Sequence, residues 1–150
     1  MDKNSRLGRG AAAVAIGVAL ATVPAAGHAA PKPDGHSFTM TGGQVVPGPG
    51  DPDGFTEARI SFFFSKPYRA CVGTAPQNVE RPYTALHLHR APQGAPGEFV
   101  ATFTGGATPQ SGCAEFDREV LVDIRDNPEQ YYVDAHNAEF PDGAIRGQLR

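Results

Sequence analysis

A chain of 150 residues with a formal net charge of −3 and 19% charged residues has room for one domain and a modest core. It carries no basic cluster, which excludes nucleic acid and anionic membrane surfaces as electrostatic partners. No apolar stretch approaches the ~20 residues of a membrane-spanning helix, so no integral membrane anchor is expected.

The N-terminus reads as an export signal. Lys3, Arg6 and Arg9 form a basic leader, the apolar run Ala11 to Val23 follows, and Gly27 and Ala29 supply the small residues before a cut. Residues 1–29 are therefore expected to be a signal peptide, 30–35 a short linker and 36–150 the folded domain. The expected location is outside the membrane: extracellular, cell-surface or periplasmic. Loss of Asp2, Lys3, Arg6 and Arg9 with the leader moves the formal charge from −3 to −5. Cys71 and Cys113 both lie in the mature part, and an oxidising compartment joins such a pair. The expected disulfide closes a loop long enough to stabilise the fold by about 4 kcal/mol in the chain-entropy model. Two free thiols sharing a metal with histidine are the alternative.

Eighteen glycines and fourteen prolines fall between short β-rich segments, and no helical repeat of useful length survives them. "HSFTMT" (residues 36–41) is the first predicted strand. After the turn-rich "PGPGDPDG" comes "FTEARISFFFS", where Ala58, Ile60, Phe62 and Phe64 alternate onto one face and Phe63 onto the other. "YRACV" follows Pro67 as a partner strand, then a polar loop ending at Pro82, then "TALHLHR" (residues 84–90). "APQGAPG" is a loop, "EFVATF" (residues 98–103) a strand, and "GGATPQSG" (residues 105–112) another loop. "REVLVDI" (residues 118–124) suits a strand or a short helix. The closing hairpin is explicit: "YYVDAHN" alternates, "FPDG" places Pro, Asp and Gly as a type I turn favours, and "AIRGQL" alternates again. Short strands separated by frequent turns predict an all-β fold, a Greek-key-like β-sandwich of about seven to nine antiparallel strands with one disulfide.

In "TALHLHR", His87 and His89 sit at i and i+2 and share one face of a strand, with Leu86 and Leu88 on the other. Tyr132, Asp134 and His136 likewise share a face of the last hairpin. These segments, with "NPEQYYVDAH" and "FPDGAIRGQL", resemble the CHRD domain, a module named for chordin and found also in exported bacterial proteins. The resemblance runs from Phe38 to Leu149 and implies an extracellular domain without naming an activity. This chain departs from the family pattern at Asp134, where asparagine is usual, and in its longer loop after His89. The carboxylate adds negative charge to the His136 face, which suits a cation better than a neutral ligand.

The candidate metal ligands are His87, His89 and His136, three imidazoles that suit copper or zinc with an open position. Asp134, Arg146 and Arg90 are the expected supporting polar cluster, with Arg146 facing Asp134 or Glu139 across the hairpin. The plainer reading is polar histidines bonded to that hairpin or solvated. A His-x-His strand also occurs in copper/zinc superoxide dismutase, but its two-metal site needs more imidazoles than His36, His87, His89 and His136 supply. A single-metal redox relative, with Arg90 or Arg146 guiding an anion, stays as an alternative. No G-x-S-x-G elbow occurs, and "DPDG" lacks the later oxygen ligands of a calcium loop. The expected role is binding to an extracellular or cell-surface partner rather than catalysis.

Overall fold

The computed structural model describes residues 34–74, 83–105 and 111–150. The expected signal peptide, most of the expected linker, and residues 75–82 and 106–110, where the sequence predicts loops, lie outside the described residues. The strands are β1 (Gly35–Thr41), β2 (Phe55–Phe63), β3 (Arg69–Thr74), β4 (Tyr83–Arg90), β5 (Glu98–Thr102), β6 (Thr104–Gly105), β7 (Ser111–Glu115), β8 (Tyr131–Asn137) and β9 (Ile145–Gln148). One helix, α1 (Arg118–Asp126), and two single 3-10 turns complete the described part.

All nine strands belong to one antiparallel sheet in the order β5-β4-β8-β9-β1-β2-β3-β7-β6. Its two edges, β5 and β6, are separated in the chain by Phe103 alone, whose N–H donates to Leu86 O at 2.9 Å. The layers of the expected sandwich are thus parts of one sheet wrapped until it nearly closes, which leaves little free edge.

Period-2 alternation decides what fills it. Phe38 and Met40 of β1, Ala58, Ile60 and Phe62 of β2, Leu86 and Leu88 of β4, and Val133 and Ala135 of β8 turn inward and are buried together. Phe64, just past β2, is only partly buried, with the Arg125 guanidinium 4.7 Å from its ring centre. Phe63 takes the outward position, exposed, with Arg69 over its ring.

The segment "REVLVDI" resolves as helix. Leu121 and Ile124, three apart, both point into the core, and Asn127 and Pro128 end it. His36 Nε2 donates to Arg125 O in the last turn at 3.0 Å, so this histidine serves the helix end.

Sequence reasoning missed β7. "SGCAE" carries none of the bulky β-branched residues that mark strands, and the strand is specified instead by pairing. Cys71 and Cys113 stand opposite each other in the β3–β7 register and form the expected disulfide.

Candidate metal centre on the β4–β8 face

The site follows from strand parity plus register. β4 and β8 pair so that His87 stands opposite Asp134, His89 opposite Tyr132 and Ala85 opposite His136. On the other flank, β9 sets Arg146 opposite Asp134 and Gln148 opposite Tyr132. Side chains opposite each other in an antiparallel pair lie close enough to interact directly. One face therefore collects His87, His89, Tyr132, Asp134, His136, Arg146 and Gln148, while Leu88, Val133 and Ile145 back it with core.

Strand alternation alone would leave this face in water, yet Asp134 is 8% exposed and Arg146 3%. Loops cover it, and the polar side chains hold them there. Gln148 Nε2 donates to Ala91 O at 3.0 Å and Tyr131 O at 2.7 Å, and Arg146 Nη2 reaches Pro92 O at 3.4 Å. Gly97 N–H donates to the Tyr132 hydroxyl at 3.2 Å. A Cβ on Gly97 would come within 2.8 Å of the Tyr132 ring, so only glycine allows the loop to approach this closely. At the other end the turn Phe140 to Gly143 is closed by a Gly143 N–H to Phe140 O bond of 3.1 Å, with Gly143 at φ 134°.

Asp134 is the hub. Its Oδ1 lies 3.1 Å from His136 Nε2 and 3.9 Å from His87 Nδ1, and its Oδ2 lies 3.4 Å from His89 Nε2. Burial works to raise its pKa, but His136 and His89 beside it prevail and hold the carboxyl down at about 2. Asp134 in turn raises the pKa of His136 against the opposing effect of burial. His87 is shifted the other way, first by burial and then by the neighbouring His136.

The hydrogen-bonding ledger of this cluster does not close. His136 Nδ1 lies 2.9 Å from Pro141 O, and a carbonyl only accepts, so that nitrogen carries the proton. A neutral His136 then turns the lone pair of Nε2 on Asp134 Oδ1, acceptor against acceptor. His89 Nδ1 lies 3.3 Å from Gly97 O, on the side of the ring away from Asp134 Oδ2. His89 Nε2, His136 Nε2 and Asp134 Oδ1 are all buried without a hydrogen-bond partner, because their mutual approaches lack hydrogen-bond alignment. Buried unpartnered acceptors are costly, and what satisfies several converging ones is a proton or a cation. One ligand atom each from His87, Asp134 and His136 lies within 4.8 Å of the others, which suits a metal ion by donor type and proximity.

The structure brings together His87, His89, His136 and Asp134 of the sequence-predicted set. Arg146 shares their face, opposite Asp134 in the register, with its guanidinium 3.4 Å from the centre of the Tyr132 ring. Burial lowers its pKa, opposed by Tyr132 and Asp134. Arg90 does not join the cluster. Next to His89 in sequence, it points to the opposite side, 3.5 Å from Asp123 and over the ring of Tyr131. Two residues absent from the sequence-level site matter here. Tyr132 stacks flat on His89, with centroids 4.9 Å apart and planes 3° apart. Phe99, on the strand paired with β4, sets its edge 5.5 Å from the His87 ring while staying 55% exposed. Tyr132 was legible from its parity with Asp134, and Phe99 required the β4–β5 register.

The CHRD domain family model matches residues 36–149. No curated protein and no solved structure matches the chain. Since that match runs from the first strand through the closing hairpin and covers well over half of the chain, the chain belongs to the CHRD domain family.

Proposed function

We propose that this CHRD domain is an exported, non-enzymatic binding module whose ligand is a copper or zinc ion held by His87, Asp134 and His136. The observation that carries the reading is the meeting of His136 Nε2 and Asp134 Oδ1, both buried, 3.1 Å apart and without a hydrogen-bond partner. An ion accepted by both lone pairs turns that conflict into a site. Mixed imidazole and carboxylate donors suit zinc and copper(II), and three protein ligands leave a position open to water or a small donor.

Two ~2 Å bonds reach across ~4 Å at most, so the 4.8 Å spread must close slightly on binding. His87 has the freedom to close it, because its side chain is 25% exposed and the other two are more buried. Export is supported by the basic and apolar leader and by the disulfide.

The test is metal content and copper titration of the purified mature protein beside His87→Ala. One tightly held ion per chain, lost in the variant, is the expected result. Equal weak uptake by both proteins refutes the reading. Mass spectrometry of the exported chain should place the cut after Ala29.

A further inference from the structure

The three imidazoles around Asp134 are not equivalent, and the differences assign them separate tasks. We infer, on the basis of the metal-binding reading above, that His89 is not a ligand of the ion but the positioning residue that orients Asp134 toward it.

Asp134 is divided between its neighbours. Oδ1 faces His136 at 3.1 Å and His87 at 3.9 Å, whereas Oδ2 faces His89 at 3.4 Å. An ion on Oδ1 thus has His136 and His87 at hand, and His89 approaches the other oxygen. Ring positions agree: His87 is 4.8 Å from His136 but 5.9 Å from His89, centroid to centroid.

His89 is also held on several sides. It lies flat on Tyr132, whose other constraints are the Arg146 guanidinium 3.4 Å from its centre and the Gly97 N–H on its hydroxyl. Phe99 closes a further side, edge-on at 5.9 Å. His87 makes no comparable stack and is the most exposed of the three. Finally, the nitrogens of His89 face two acceptors, Gly97 O at 3.3 Å and Asp134 Oδ2 at 3.4 Å. The group whose ligand atoms lie within 4.8 Å of one another is His87, Asp134 and His136, and His89 falls outside it. A ligating carboxylate held on its free oxygen by an outer N–H is a recurrent way of fixing metal ligands, and loss of the outer group costs about 10- to 100-fold in affinity.

The experiment counts imidazoles on the copper(II)-loaded protein by pulsed electron paramagnetic resonance, which distinguishes one, two and three coordinated rings. Two rings are expected in the parent, one in His87→Gln, and two in His89→Gln. His89→Ala should bind copper about 10- to 100-fold more weakly, with part of the loss restored by His89→Gln, which keeps an N–H donor. Three rings in the parent, or a drop to one in His89→Gln, overturns the division of roles while leaving the metal site standing. A parent that takes up no stoichiometric copper removes both. The parent count is decisive by itself, whatever a substitution does to folding.

Discussion

Replacing Tyr131 by phenylalanine removes one buried oxygen and, with it, the centre of the network that ties α1 to β8. The Tyr131 hydroxyl donates to Asp123 Oδ2 at 2.5 Å, Asn127 Nδ2 donates to Asp123 Oδ1 at 2.6 Å, and Arg90 stands 3.5 Å away. Burial, then Asp123, pushes the Tyr131 pKa up from 10.0 to about 12. The bond joins a buried hydroxyl to a carboxylate whose side chain is 35% exposed, so the lower part of the about 1.5–3 kcal/mol typical of a hydrogen bond to a charged group applies. The signs fix a pH window. A raised tyrosine pKa is stability fully present below pH 10 and lost as pH rises through about 12. The bond to Tyr131, then Asn127, lowers the Asp123 pKa below 3.8, which is stability present above that pH and lost as pH falls through the folded value. Urea unfolding of Tyr131→Phe should therefore show a deficit of about 2 kcal/mol, flat between about pH 5 and 9 and shrinking on either side. A deficit constant from pH 3 to pH 11 would show that lost packing, not the Tyr131–Asp123 bond, causes it.

Reducing the Cys71–Cys113 disulfide should lower stability by about 4 kcal/mol in the chain-entropy model, read as a fall in Tm, and an unchanged Tm refutes that role. Leu88→Ala empties a fully buried position between His87 and His89 and should cost about 2–5 kcal/mol. Copper stoichiometry of whatever remains folded should stay at one, since Leu88 faces the core. A saturating metal at about 100 times its Kd should add about 2.7 kcal/mol of stability. That gain should fade as pH falls toward and below the ordinary imidazole value of about 6.5, because imidazole must be deprotonated to ligate and Asp134 raises the pKa of His136.

Strand parity made much of the site legible. The spacing of His87 and His89, the alternation Tyr132, Asp134, His136, and the turn at "FPDG" were enough to put these side chains on common faces. Arg90 follows His89 directly, and parity sends it to the other side of the sheet, to Asp123 and Tyr131. What the pattern does not encode is the cover. Nothing periodic says that residues 91–97 fold back over β8 and β9, since that depends on Gln148 and Arg146 bonding to carbonyls more than fifty positions away. Likewise β7 owes its place to a partner strand and a disulfide, both non-local, while its own residues read as loop.

Asp134, where the CHRD resemblance implies asparagine, is chemically consequential. An asparagine there would carry an amide N–H that can donate to an imidazole lone pair and close the cluster without an ion. A carboxylate cannot donate, so with Asp134 the lone pair of His136 remains facing an acceptor. Asp134→Asn therefore separates the two demands on this face. At pH 8 and without metal, the variant should be at least as stable as the parent, because a buried charge has been exchanged for a donor of the same shape. Its copper affinity should fall by at least tenfold, since the anionic ligand is gone. Thermal unfolding with and without copper reads both effects in one series: the parent should gain Tm with the ion and the variant should not. A variant less stable than the metal-free parent, yet still protected by copper, would mean that Asp134 serves the fold and that the ion is held elsewhere.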